Sequence, residues 1–153
     1  LSENLAPLNA YMSNPTPETE APVRGFLAAG TTQWQWTHGT RHPELIDPAF
    51  WVHDQYFLDR PGNDAIQLAL FRDYATNPPL YPKWQEYLRT HRPPVLVAWG
   101  KNDPFFTPAG AEAFRRDVPT ADIHLLDTGH FALADHAGEI AGLMRKFLAK
   151  HAK

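Results

Sequence analysis

Two short apolar runs, Val95–Leu96–Val97–Ala98–Trp99 and Ile123–His124–Leu125–Leu126, are bounded by turn residues and are too brief for ordinary helices, so both predict strands. Each ends in a polar loop, Gly100–Lys101–Asn102–Asp103 and Asp127–Thr128–Gly129–His130. Between them Thr107 to Val118 is amphipathic. The order strand, loop, helix, strand, loop, helix predicts two parallel strands joined by a right-handed crossover. Both loops then emerge at one edge of the sheet, at the carboxyl ends of the strands, where open α/β folds place their sites. A last helix is predicted from Ala137, Ile140, Ala141, Met144, Phe147 and Leu148, with Lys146, Lys150 and Lys153 near its end, where cations complement the helix dipole.

Upstream the pattern is helical. Leu5, Leu8, Tyr11 and Met12 allow one or two turns before Ser13–Asn14–Pro15 breaks them. Thr16–Pro17–Glu18 reads as an N-cap, a first-turn proline and a first-turn acid. Val23, Phe26, Leu27 and Trp34 fall on one helical face, with Pro22 placed to kink it, and the alternation of Gln33–Trp34–Gln35–Trp36–Thr37–His38 predicts a change to extended chain. Asp47–Pro48 opens a second helix carrying Phe50, Trp51, Asp54, Phe57 and Leu58, which Arg60–Pro61–Gly62–Asn63 stops. A third carries Ile66, Ala69, Leu70 and Tyr74 as far as Asn77–Pro78–Pro79, and Tyr81–Pro82 opens a fourth with Trp84, Tyr87 and Leu88. Residues 17 to 90 thus read as several helices without a strand.

Composition narrows the function classes. With 43% apolar and 12% aromatic residues, the chain has material for a core in a single domain. A net charge of −3 with scattered Lys and Arg offers no basic face for a phosphate backbone, so no nucleic-acid partner is expected. The absence of cysteine removes disulfides, a thiolate nucleophile and thiolate metal sites, and makes the reducing cytoplasm the expected compartment. No apolar run approaches the roughly 20 residues that span a bilayer, so no membrane association is expected. Leu1–Ser2–Glu3–Asn4 lacks both an initiator Met and the features of a signal peptide, and the chain reads as part of something longer.

The candidate chemistry lies in the two loops. Asp103 and His130, delivered to one sheet edge by successive strands, form an arrangement in which a carboxylate can orient an imidazole acting as general base. The bland readings are a turn aspartate in Asn102–Asp103–Pro104 and a loop histidine capping the next helix. Together, Trp99–Gly100–Lys101–Asn102–Asp103–Pro104, Thr107–Pro108 and Asp127–Thr128–Gly129–His130–Phe131 resemble the α/β-hydrolase family, whose triad runs nucleophile, acid, histidine. Asp103 and His130 match the last two members, and Asp127 reads as structural.

The resemblance implies an α/β fold class: the C-terminal fragment of an α/β-hydrolase, with a helical cap at 1–92 followed at 93–153 by two parallel core strands with flanking helices. Six strands and the nucleophile elbow would precede Leu1. The elbow needs a nucleophile between small residues; Ser2 and Ser13 lack that context, and Gly62–Asn63–Asp64 reads as a loop with a helix cap. The N-terminal half of the core is therefore the expected partner, and a small molecule the expected substrate of the complete enzyme. The layout looks most like the epoxide hydrolase and haloalkane dehalogenase branch, with an ester or lactone substrate and a Ser nucleophile as the alternative to Asp.

In that branch cap tyrosines donate to an opening epoxide oxygen and tryptophans to a leaving halide. Tyr56, Tyr74, Tyr81, Trp34 and Trp36 are accordingly pocket candidates, and Trp99, Phe105 and Phe106, beside Asp103, are candidate pocket walls. No cofactor is implied. His38 and His42 are separated by Gly39 without the Glu of a metalloprotease motif, so no metal site is expected. The isolated chain is expected to be inactive and to self-associate through its exposed sheet edges. The rival class is a non-catalytic binding or interaction module derived from the same fold, in which Asp103 and His130 are leftovers.

Overall fold

A computed structural model describes residues 2–151. Lys153, assigned above to the end of the last helix, and Leu1 lie outside the described residues. The first part is helical: α1 (Ala6–Ser13), α2 (Pro17–Arg24), α3 (Ala29–Thr37), α4 (Ala49–Leu58), α5 (Asn63–Asp73) and α6 (Tyr81–His91), with short 3₁₀ turns between them. Then come β1 (Leu96–Gly100), α7 (Pro108–Glu112), α8 (Phe114–Asp117), β2 (Asp122–Leu126) and α9 (Leu133–His151).

Local chemistry accounts for most boundaries. Thr16 and Thr19 form a reciprocal cap at the start of α2: each hydroxyl accepts the other's backbone N–H. The Asp47 carboxylate accepts the Ala49 N–H at 2.8 Å and starts α4. Arg92, with φ of 45°, ends α6 in a left-handed turn before Pro93 and Pro94.

Three expectations are corrected. Val23 and Trp34 do not share one helix: α2 ends at Arg24, two residues after Pro22, and extended Ala28 (φ −76°, ψ 145°) separates it from α3. Gln33 to Thr37 is helix, not extended chain. Its alternation arises because Trp34 and Trp36 pack on opposite sides of α3, Trp34 against His38 and Phe105 and Trp36 against Phe50 and Phe131. The stretch Thr107 to Val118 is divided into two helices at Ala113. In α9, His136 (φ −116°, ψ 18°) interrupts the first turn, and the regular apolar stripe follows it.

The strands pair parallel, Leu96 opposite Asp122 through Gly100 opposite Leu126, so both chains leave the sheet at the same end. Among the described residues each strand has one neighbour and one unpaired edge. Tyr11, Val23 and Leu68 bring α1, α2 and α5 around one apolar core, with Leu8, Phe26 and Phe71 packed on it. Val97 of β1, Ala111 of α7, Leu126 of β2 and Ile140 of α9 are also buried, as is Val118 just after α8. No helix among the described residues is long and apolar enough to cross a membrane.

Candidate active site

The turn after β1 closes when the Asp103 N–H donates to the Gly100 carbonyl at 3.2 Å. This aims the side chain back over its own loop, where Oδ1 accepts the N–H groups of Phe105 (2.8 Å) and Phe106 (3.0 Å). Oδ2 lies 2.9 Å from His130 Nδ1. Asp103 is only 9% exposed. Burial by itself would raise its pKa, but the His130 hydrogen bond, the Phe106 and Phe105 amides and the neighbouring imidazole together hold it below the usual carboxylate range. An ionised Asp103 accepts the Nδ1 proton, which fixes the tautomer and leaves Nε2 as the imidazole's basic nitrogen. Phe105 and Phe131 meet the His130 ring edge-on at 5.1 and 4.8 Å, and Phe106 lies tilted at 5.5 Å.

Three backbones cross beneath this pair. A Cβ on Gly100 would collide with the Gly129 carbonyl, one on Gly129 with the His38 carbonyl, and one on Gly39 (φ 80°) would stand 2.6 Å from the Asn102 carbonyl oxygen. The close approach lets Lys101 N–H donate to Leu126 O (2.8 Å) and Asn102 N–H to Thr128 O (3.1 Å). Asn102 Nδ2 donates to Gly39 O (2.9 Å) and to Asp127 Oδ1 (3.2 Å). Lys101 Nζ is 2.8 Å from Asp127 Oδ1, and the Arg41 guanidinium holds Oδ2 at 2.9 and 3.2 Å. Lys101, Arg41 and Asn102, in that order of effect, keep Asp127 far below the usual carboxylate range. Asp127 thus fastens the loop after α3 to both loops of the site. Fully buried Thr128 donates to Asp135 at 2.7 Å and ties the His130 loop to the start of α9.

His130 faces a cavity of about 500 Å³. Of the predicted pocket residues, Trp36, Phe105 and Phe106 line it. Trp34, Tyr56, Tyr74, Tyr81 and Trp99 lie outside it, each for a local reason. Trp34 projects from the other side of α3 and stacks on His38 at 4.5 Å. Tyr56 stands on the outer face of α4, 69% exposed. The phenols of Tyr74 and Tyr81 are 3.2 Å apart, which with burial and mutual repulsion of their charged forms pushes Tyr81 up to about 12. They border a second hollow with Trp99, whose indole N–H donates to the Phe106 carbonyl at 2.6 Å. The Trp36 indole N–H is also taken, by Asp54 Oδ2 at 2.9 Å. Among the described residues no tyrosine lines the cavity beside His130, and the indole N–H of Trp36 is not free to meet a leaving halide.

Sequence reasoning passed over Asp54, Gln35 and Gln67 and the rings of Phe57, Phe71 and Phe131 as lining residues. One sign was available for Asp54: it sits between Phe50 and Phe57–Leu58 on an otherwise apolar helical stripe. Among the described residues no three His, Asp or Glu side chains are grouped so as to hold a metal ion.

Two parallel strands joined through helices, with the following loops bringing Asp103 and His130 together at one sheet edge, place the chain in the α/β class. Residues 14–137 match the α/β-hydrolase fold family, and the chain belongs to it. It is also 48% identical over 107 residues to a protein of Saccharomyces cerevisiae named as an uncharacterized hydrolase, a match covering 70% of this chain and 37% of the relative. The chain therefore spans little more than a third of that relative's length.

Proposed function

We propose that this chain supplies the acid, the histidine and the substrate-facing cap of a hydrolase acting by nucleophile–acid–His chemistry on a small epoxide, haloalkane or ester. The observation that carries this reading is the 2.9 Å contact of buried Asp103 with His130 Nδ1, in a ring that also borders an apolar cavity. The nucleophile, an Asp or a Ser, belongs to an N-terminal half of the core. With an Asp, a carboxylate oxygen attacks the electrophilic carbon as the halide leaves, or as the epoxide C–O bond opens and its oxygen takes a proton from water, giving an ester. His130 Nε2 then removes a proton from water as its oxygen adds to the ester carbonyl, and Asp103 stabilises the imidazolium; the adduct collapses by cleaving its bond to the product oxygen, which takes the imidazolium proton and leaves as the alcohol. With a Ser, His130 also takes the hydroxyl proton in the first step. The Phe105, Phe106 and Phe131 rings around the imidazole favour small apolar groups.

The test uses the natural full-length protein containing this chain, assayed on matched epoxides, haloalkanes and esters. His130→Ala is then examined by intact mass after incubation with whichever substrate turns over. An Asp nucleophile predicts accumulation of the alkyl-enzyme, because its formation needs no base; a Ser nucleophile predicts no adduct, with turnover lowered about 10²–10⁴-fold. Undiminished turnover by His130→Ala, or turnover by the isolated chain, would overturn the proposal.

A further inference from the structure

We infer that the cavity selects a substrate whose end remote from the reacting carbon carries a hydrogen-bond donor, best of all an ammonium group, and that Asp54 reads it. This rests on the cavity beside His130 being the place where substrate binds.

The polar residues lining the cavity are Thr32, Gln35, Asp54, Asn63, Gln67 and His130; among the described residues neither Lys nor Arg lines it. Several of the donors are engaged within the protein. Gln35 Nε2 donates to the Phe26 carbonyl (3.2 Å) and Asn63 Nδ2 to the Phe57 carbonyl (2.6 Å). Carbonyl oxygens only accept, so each amide nitrogen must face its partner and each amide oxygen is left over. Thr32 donates to Gln55 Oε1 at 2.7 Å, while the Gln55 amide nitrogen goes to Leu27 O and Asp59. The Trp36 N–H goes to Asp54. Among the described residues the Gln67 amide makes no hydrogen bond within the protein and can turn either its oxygen or its N–H groups to a ligand, so the one fixed charge on the wall is the Asp54 carboxylate.

Asp54 is more than the acceptor that Trp36 requires. A neutral amide oxygen would satisfy an indole N–H, whereas a carboxylate offers about four acceptor sites and a full negative charge. The charge stands on a wall built largely of aromatic rings, whose faces attract cations, and it disfavours a carboxylate or phosphate entering the same space. Its position relative to the chemistry is fixed by stacking. Trp36 is sandwiched between Phe50 (4.8 Å) and Phe131 (3.9 Å), and Phe131 touches the His130 ring. The path Asp54, Trp36, Phe131, His130 therefore sets a fixed span between the end of the substrate that is read and the end that reacts.

The test measures binding, so it does not depend on turnover. Dissociation constants of 2-phenylethylammonium, 2-phenylethanol and phenylacetate for the natural full-length protein are compared by calorimetry at neutral pH, with tryptophan fluorescence as a second readout. The cation should bind at least about tenfold more tightly than the anion, with the alcohol between them. Asp54→Asn, which keeps an acceptor for Trp36 and the same shape, should erase the difference between cation and anion. Trp36→Phe, which frees the second carboxylate oxygen, should retain it. Equal or tighter binding of phenylacetate by the wild-type protein, or a preference that survives Asp54→Asn, would overturn the inference. Loss of turnover in the hydrolase assays with the binding preference intact would instead count against the hydrolytic reading alone.

Discussion

Asp103 uses one oxygen to order its own loop, through the Phe105 and Phe106 amides, and the other to hold His130. Replacing it by Asn leaves an acceptor but offers an amide N–H to an imidazole that needs an anion, and turnover in the full-length protein should fall about 10²–10⁴-fold. Its pKa is lowered on folding, so the ionised form contributes stability above the unfolded carboxylate value and loses it as pH falls through the folded value. The gap in urea midpoint between wild type and Asp103→Asn should accordingly be widest at pH 7 and close below about pH 4; a gap of constant size from pH 7 to pH 3 would contradict this. At Gly129 the obstacle is steric, since a methyl group meets the His38 carbonyl. Gly129→Ala should destabilise by about 1–3 kcal/mol, read as a lowered midpoint. Asp103 and His130 were legible because each is the chemical residue of a polar loop that follows a short apolar run. Asp54 had only its place on an apolar helical stripe as a sign, because which side chains meet around the cavity is decided by residues far apart in sequence.

At the scale of elements, the parallel pair and its two loops follow from the sequence because a run of five residues bounded by turns has few alternatives. The α3 boundary was misread because period-two alternation also arises when a helix packs one tryptophan on each side. The crossing of three loops had no sequence signature beyond its glycines, since Gly39, Gly100 and Gly129 lie in different segments. Asp127 joins these loops: Arg41 belongs to the loop after α3, Lys101 and Asn102 to the loop after β1. Asp127→Ala should leave secondary structure intact but free the α3 loop from the site. The expected result is faster amide hydrogen exchange at residues 38–42 and 128–130, with little change in the core helices α2 and α5. Uniform exchange across all segments, or none beyond wild type, would show that the loops are held without it.

For the molecule as a whole, the strands and α9 present an apolar face that the chain's own helices leave open. Leu96, Ala98, Ile140, Met144, Phe147 and Leu148 surround one hollow, with Met144 50% and Leu148 55% exposed. Such a face, next to two unpaired strand edges, favours association. The isolated chain should bind an apolar fluorescent dye and elute above its monomer mass, and the full-length protein should do neither. A monodisperse, dye-silent isolated chain would mean that these surfaces need no covering. The central claim is that Asp103 and His130 form the proton-handling pair of a hydrolase, and the most direct measurement is kcat of the full-length protein and its His130→Ala variant on the same preferred substrate. Removal of a general base should lower kcat about 10²–10⁴-fold with the fold unchanged by circular dichroism. A variant that turns over at the wild-type rate would contradict the account.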